Sequence, residues 1–290
     1  MVDAIVALRS GPFEVVLAPA VGGSIARFEH DGRPILRGAA DGESDVLKMG
    51  CFPLVPYCNR IRGGRFDFRG REIVIAPNMA GDPSPLHGQG WLARWTIEWA
   101  TQDEAILSFD HEAGEWPWSY EARQHFRLDG RGLGIALSCR NLSEGPMPCG
   151  LGLHPYFPCG GEAALDTHVE DVWTVDEDVL PVERQPATGR YALAQRKICG
   201  QDLDNGFSGW SGSADISEPG APAVRISSPN AGYFQVYSPA AGGLFVAEPV
   251  THANAALNEP EERWASLGLR ILQPGETATL DARIEVSQAG

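Results

Sequence analysis

The chain reads as an all-β protein, a large and mostly antiparallel β-sandwich. Three observations predict that class. With 34 glycines and 22 prolines, turn-forming residues punctuate the chain at short intervals. The apolar runs between them have the length of strands. No long amphipathic helix and no repeat of fixed period interrupts the pattern.

Taken in order, Phe13-Glu14-Val15-Val16-Leu17 and Ser24-Ile25-Ala26-Arg27-Phe28 read as the first strands. Gly22-Gly23 and Asp31-Gly32 supply turns near them. Phe66-Asp67-Phe68 and Glu72-Ile73-Val74-Ile75 flank Arg69-Gly70-Arg71 as a tight hairpin. Residues 95–99 and 105–109 form a further pair, and 120–128 with 133–139 flank an Asp-Gly-Arg-Gly turn at 129–132. The polar stretch 162–189 has the texture of a linker. Val172-Trp173-Thr174-Val175 within it reads as a strand, so one domain over residues 1–290 is expected. Later strands fall at 224–226, 233–237, 243–247, 267–272 and 279–286, with a short helix near Glu259-Pro260-Glu261-Glu262.

Composition excludes several functions. At 43% hydrophobic, 290 residues can bury a sizeable core, yet no apolar run nears the ~18–20 residues that cross a bilayer. A net charge of −15 argues against nucleic acid and anionic membrane surfaces, which need a positive face. Lys48 and Lys197 are the only lysines, which disfavours Schiff-base chemistry. Cysteines 51, 58, 139, 149, 159 and 199 form no C-x-x-C pair and none has zinc-finger spacing with a histidine. Reduced, mostly buried thiols are expected. With no export signal read at the N-terminus, a cytoplasmic location is expected.

Five segments hold side chains suited to chemistry. In Gly150-Leu151-Gly152-Leu153-His154-Pro155-Tyr156-Phe157-Pro158, leucines alternate with glycines and lead into a histidine. The prolines are expected to end the strand there and leave His154 at its tip. In Gly243-Leu244-Phe245-Val246-Ala247-Glu248-Pro249 an apolar strand runs into a carboxylate, whose pKa burial would raise. Asn59-Arg60-Ile61 places a guanidinium among apolar residues, costly unless it is paired. Leu86-His87-Gly88-Gln89-Gly90-Trp91 leaves room beside a histidine. Leu203-Asp204-Asn205-Gly206 offers an acceptor for hydroxyls, although Asp-Asn-Gly is also ordinary turn chemistry.

Each segment alone is weak, but their order is informative. Asn-Arg-Ile with Gly-x-Phe downstream, then Leu-His-Gly with a Trp, His-Pro-Tyr-Phe, Leu-Asp and Glu-Pro resembles the aldose 1-epimerase (galactose mutarotase) family. The resemblance runs from about Gly22 to Leu272-Gln273-Pro274-Gly275-Glu276, and residues 175–189 resemble that family's Asp-to-Pro-x-Gly segment. It implies a β-supersandwich with His154 as general acid and Glu248 as general base. It also implies that Arg60, His87, Asp204 and the adjoining Asn59 bind the sugar, with no metal or other cofactor.

The expected reaction is interconversion of the α and β anomers of a free aldose. Glu248 and His154 are expected to face one cleft, several Å apart, with room for a sugar ring. Two alternatives stand beside this: a hexose-6-phosphate 1-epimerase, and a carbohydrate-binding module without turnover. The only partner implied is a small sugar, and monomer and homodimer are both open.

Overall fold

The computed structural model describes residues 5–287. The N-terminal residues 1–4 used in the reading above, and residues 288–290 of the expected domain, lie outside them. The architecture is all-β. An 11-stranded sheet carries, in adjacent order, Ser24–His30, Cys51–Leu54, Gly152–Pro158, Leu244–Val250, Tyr233–Ser238 and Leu203–Ser208. A 9-stranded sheet carries Thr277–Ser287, Gly132–Asn141, Tyr120–Asp129, Glu104–His111 and Thr96–Ala100 side by side. Neighbouring strands pair antiparallel, as the hairpin-rich sequence predicts.

Phe28, Phe157, Phe234 and Phe245 of the larger sheet join Leu107, Phe126, Leu137 and Leu280 of the smaller one in a single buried cluster. Strand alternation then dictates what the opposite face of the larger sheet presents. On Gly152–Pro158, Leu153 and Phe157 enter that core, while His154 and Tyr156 point the other way. On Leu244–Val250, Phe245 and Ala247 enter it, while Val246, Glu248 and Val250 face away. On Tyr233–Ser238, Phe234 and Val236 enter it, and Gln235 and Tyr237 face away. Both faces of these central strands are covered, so they read in sequence as nearly continuous apolar runs.

The hairpin Arg65–Phe68 and Arg71–Val74 turns on Arg69 and Gly70, both at positive φ. The short helix is Glu261–Trp264. All six cysteines are free, five of them buried. Among the described residues no helix is long and apolar enough to cross a membrane.

Two expectations fail locally. Residues 267–272 are not one strand: Ala265–Leu267 is a 3₁₀ turn, Gly268 sits at φ 85°, and only Arg270–Leu272 is extended. The prolines also do not stop the strand at His154, which lies inside Gly152–Pro158. Residues 152–155 pair with Cys51–Leu54, whereas pairing with Leu244–Val250 is interrupted between Gly152 and Tyr156. The Tyr156 N–H donates towards Gly50, on the Cys51–Leu54 side. Pro155, pointing the opposite way, therefore lacks its N–H at the interruption, where a sheet tolerates it.

Candidate active site

The away-facing residues line up in two rows across the sheet. Phe52 pairs with His154, Glu248 with Gln235, and Gln235 with Gly206. The flanking pairs Gly152–Val250 and Tyr156–Val246 set His154 opposite Glu248, which closes this row. The second row runs Tyr156, Val246, Tyr237, Asp204. Loops carrying Asn59, Arg60, Met79, Leu86 and His87 wall the rows in, and Arg37 and Leu47 stand on the other flank. All of these residues except Gly152, Gly206, Val246 and Val250 line a cavity of about 470 Å³. All six residues singled out from sequence, Asn59, Arg60, His87, His154, Asp204 and Glu248, line it.

His154 Nε2 lies 3.5 Å from Glu248 Oε1. This is nearer than the gap expected for a ring to sit between them. The cause is the register: opposite residues on neighbouring strands bring their Cβ atoms within about 4.5–5.5 Å. The His154 ring stacks on Phe52 with centroids 4.4 Å apart, and Nδ1 is buried without a hydrogen-bond partner. Burial drives the imidazole pKa down to about 3, and the nearby Arg37 charge acts in the same direction. Glu248 is only 3% exposed. Its burial, and then the carboxylate of Asp204, hold its pKa well above the ordinary range, while Arg60 acts the other way. Both shifts favour the uncharged pair, a protonated carboxyl beside a neutral imidazole.

His87 is oriented by the loop that carries Asn59. Its Nδ1 accepts the Asn59 N–H at 3.0 Å, so the neutral ring carries its proton on Nε2. Burial and the neighbouring His154 and Arg60 keep its pKa well below 6.5. Both Asn59 and His87 sit at positive φ, 60° and 61°, and the His87 N–H donates to the Asn59 carbonyl. This tight crossing holds the two loops together. Asp204 accepts from Gln235 Nε2 at 2.8 Å, and burial raises its pKa.

The geometry is thus a polar floor with one proton-accepting and one proton-donating group side by side, the Asn59, His87 and Arg60 donors on one wall and an apolar rim. Among the described residues no group of three or more His, Cys, Asp or Glu is placed to hold a metal ion. A family model described as aldose 1-epimerase matches residues 5–285.

The chain belongs to the aldose 1-epimerase family.

Relatives of the chain agree with that placement. The uncharacterized protein YphB of Escherichia coli K12 is 32% identical over 286 residues, which cover 91% of this chain and 93% of YphB. A crystal structure of a candidate aldose 1-epimerase from Escherichia coli K12 superposes with a TM-score of 0.89 at 29% identity, covering 98% of this chain and 99% of that one. A galactose mutarotase-like protein from Clostridium acetobutylicum has the same fold, with a TM-score of 0.86 at 20% identity and 98% and 95% coverage.

Sequence reasoning missed four lining residues with polar side chains: Arg37, Tyr156, Gln235 and Tyr237. Arg37 lies over the Tyr156 ring, with Cζ 3.8 Å from its centroid, and donates to the Met49 carbonyl at 2.7 Å. The signal for the other three was alternation: Tyr156 is two residues from His154, and Gln235 and Tyr237 flank a core valine.

Proposed function

We propose that the protein interconverts the α and β anomers of a free aldose by ring opening and reclosure. The observation that carries this reading is the adjacency of His154 and Glu248 on the floor of a sugar-sized cavity, in a chain of the aldose 1-epimerase family.

A cyclic aldose is a hemiacetal, and opening it takes the proton from O1 and gives one to the ring oxygen. Both oxygens are bonded to C1, so a base and an acid standing side by side reach both. Glu248 takes the O1 proton and His154 donates to the ring oxygen as that bond to C1 breaks. The aldehyde turns about C1–C2, and reclosure from its other face reverses both transfers.

The empty pair favours its uncharged form, which holds the same single proton as carboxylate and imidazolium. Sugar hydroxyls, with His87 Nε2–H and the Arg60 guanidinium, supply the hydrogen bonds that stabilise the ionised form. Substrate binding thereby prepares the acid and the base. Each positioned proton-transfer group contributes ~10²–10⁴ in rate, enough for a reaction that already proceeds in water.

A free sugar is favoured over a 6-phosphate by the charges lining the cavity. Its two guanidiniums, Arg37 and Arg60, are both engaged, and two carboxyl groups, Asp204 and Glu248, stand beside them. A phosphate dianion calls for a free cluster of cations. The test is polarimetry or NMR anomer exchange over galactose, glucose, arabinose, xylose, fucose, rhamnose and one hexose 6-phosphate. Accelerated exchange of a free aldose is expected, and no acceleration of any would overturn the proposal.

A further inference from the structure

The loop between Ile75 and Gly88 supplies Met79, Leu86 and His87 to the cavity. It is pinned internally by Asn78, which accepts the Leu86 N–H and donates to the Leu86 carbonyl, each at 2.7 Å. Only one charged side chain of this loop reaches the cavity's own residues. Asp82 Oδ2 accepts from Arg60 Nε at 2.8 Å, with side-chain exposures of 12% for Arg60 and 7% for Asp82. The other oxygen, Oδ1, accepts the Ser84 N–H at 2.9 Å. Asp82 is not itself a lining residue, whereas Arg60 is.

Arg60 is thus held at three points: Nε by Asp82, Nη1 by Asn59 Oδ1 at 3.2 Å, and its backbone N–H by Asn254 Oδ1 at 3.1 Å. A guanidinium fixed at Nε turns its remaining N–H groups into a set direction. Its charge is matched by a carboxylate outside the cavity, so what it presents inside is hydrogen-bonding capacity more than net charge. The other acidic and basic side chains lining the cavity are Arg37, Asp204 and Glu248, with Glu248, His87 and His154 all pushed towards their neutral forms by burial.

We infer that Asp82 is a positioning and specificity-determining residue: it aims Arg60 at a neutral sugar hydroxyl and cancels the charge that would otherwise draw an anionic sugar into the cavity. The neutral ligand is the free aldose of the function proposed above, and the inference rests on that reading for its identity. Removing the carboxylate should have two opposite effects. Recognition of a neutral aldose weakens, because Arg60 loses its fixed direction. Affinity for an anion rises, because a buried guanidinium is left without its partner.

The experiment compares wild type, Asp82→Asn, Asp82→Glu, Arg60→Ala and the Arg60→Ala/Asp82→Asn double variant. Inorganic phosphate binding is titrated by calorimetry, and kcat and KM are measured with the preferred aldose. Asn keeps the volume but offers one oxygen where two are used, and Asp82→Ser replaces it if it does not fold. In Asp82→Asn, phosphate should bind about tenfold or more tighter, as expected for a charge-assisted contact newly available to an anion. The same variant should lose about tenfold in kcat/KM, the scale of one hydrogen bond to a charged group, mostly through KM. Asp82→Glu should restore both values towards wild type, and in the Arg60→Ala background the Asp82→Asn change should do nothing further. Unchanged phosphate affinity in a folded Asp82 variant overturns the inference, as does a gain that persists without Arg60. The phosphate titration needs no turnover, so a wild type that accelerates no aldose would count against the proposed function alone.

Discussion

Glu248 and His154 face each other across neighbouring antiparallel strands, Oε1 3.5 Å from Nε2, and both are buried. Each is pushed towards its neutral form, the carboxyl upward and the imidazole downward in pKa, chiefly by loss of solvent. In the proposed reaction, one proton shared by two such groups serves proton transfer rather than a stabilising ion pair.

Replacing Glu248 with Gln keeps the shape and removes the proposed base. Anomer exchange should fall by ~10²–10⁴, the contribution of one positioned proton-transfer group. The secondary structure by circular dichroism should be unchanged. A variant that keeps wild-type exchange would remove Glu248 from the reaction.

The same substitution should alter how stability depends on pH. A carboxyl whose folded pKa is raised above the ordinary 4.5 stabilises fully below that value. It costs stability as pH rises through the folded pKa, because the unfolded chain releases the proton first. Glu248→Gln has no such cost. Its unfolding midpoint in urea should therefore gain on wild type steadily as pH rises above 4.5. A difference that does not vary with pH would contradict the raised pKa.

Histidine 252 should limit stability in acid. Its Nε2 accepts the Cys58 N–H at 2.9 Å and its Nδ1 contacts the Ala253 carbonyl at 2.7 Å, so the neutral ring is satisfied in place. Burial lowers its pKa to about 4, from the ordinary 6.5 of an imidazole. The stability it contributes is present above 6.5 and is lost as pH falls towards about 4. His154 and His87 shift in the same direction. Urea midpoints measured between these pH values should fall with acid, and a flat profile would count against neutral buried histidines.

Gly150 should resist substitution for a reason unrelated to chemistry. A Cβ there would stand 1.9 Å from His252 Cδ2, in a ring fixed at both nitrogens. Gly150→Ala should destabilise by about 1–3 kcal/mol or more, as overpacking does. Gly152 is similar, with Val250, Cys58 and Leu54 side chains all within 3.0 Å of a Cβ. Thermal unfolding of the alanine variants checks both.

Gln235 should matter through Asp204. Its amide reaches Asp204 Oδ1 at 2.8 Å while its own position is opposite Glu248. Gln235→Leu leaves a buried carboxyl short of a donor, which costs about 1–3 kcal/mol. KM for the preferred aldose should rise about tenfold with a smaller change in kcat. An unchanged KM would exclude Asp204 from sugar binding.

The sequence made the strands of the smaller sheet easy to find, because Tyr120–Asp129 and Gly132–Asn141 alternate strongly around a Gly-Arg turn. The site residues that resemblance picked out were those with distinctive neighbours, such as Asn-Arg-Ile and His-Pro-Tyr-Phe. Gln235, Tyr237 and Tyr156 were hidden because their strands are covered on both faces, which blurs the difference between core and cavity. Arg37 lies far from the motifs in sequence, and Asp82, only four residues before Leu86-His87-Gly88, meets Arg60 through loop packing, which no local pattern encodes. The interior position of His154 was misread because Pro155 looks like a strand stop, and only the interrupted ladder beside it makes room for the ring.

The most direct measurement is NMR exchange between anomers of a free aldose at equilibrium, with wild type, Glu248→Gln and His154→Gln at equal concentration. Rapid exchange is expected with wild type, and exchange near the uncatalysed rate with either variant. Wild-type exchange no faster than buffer for every free aldose, or full exchange by both variants, would contradict it.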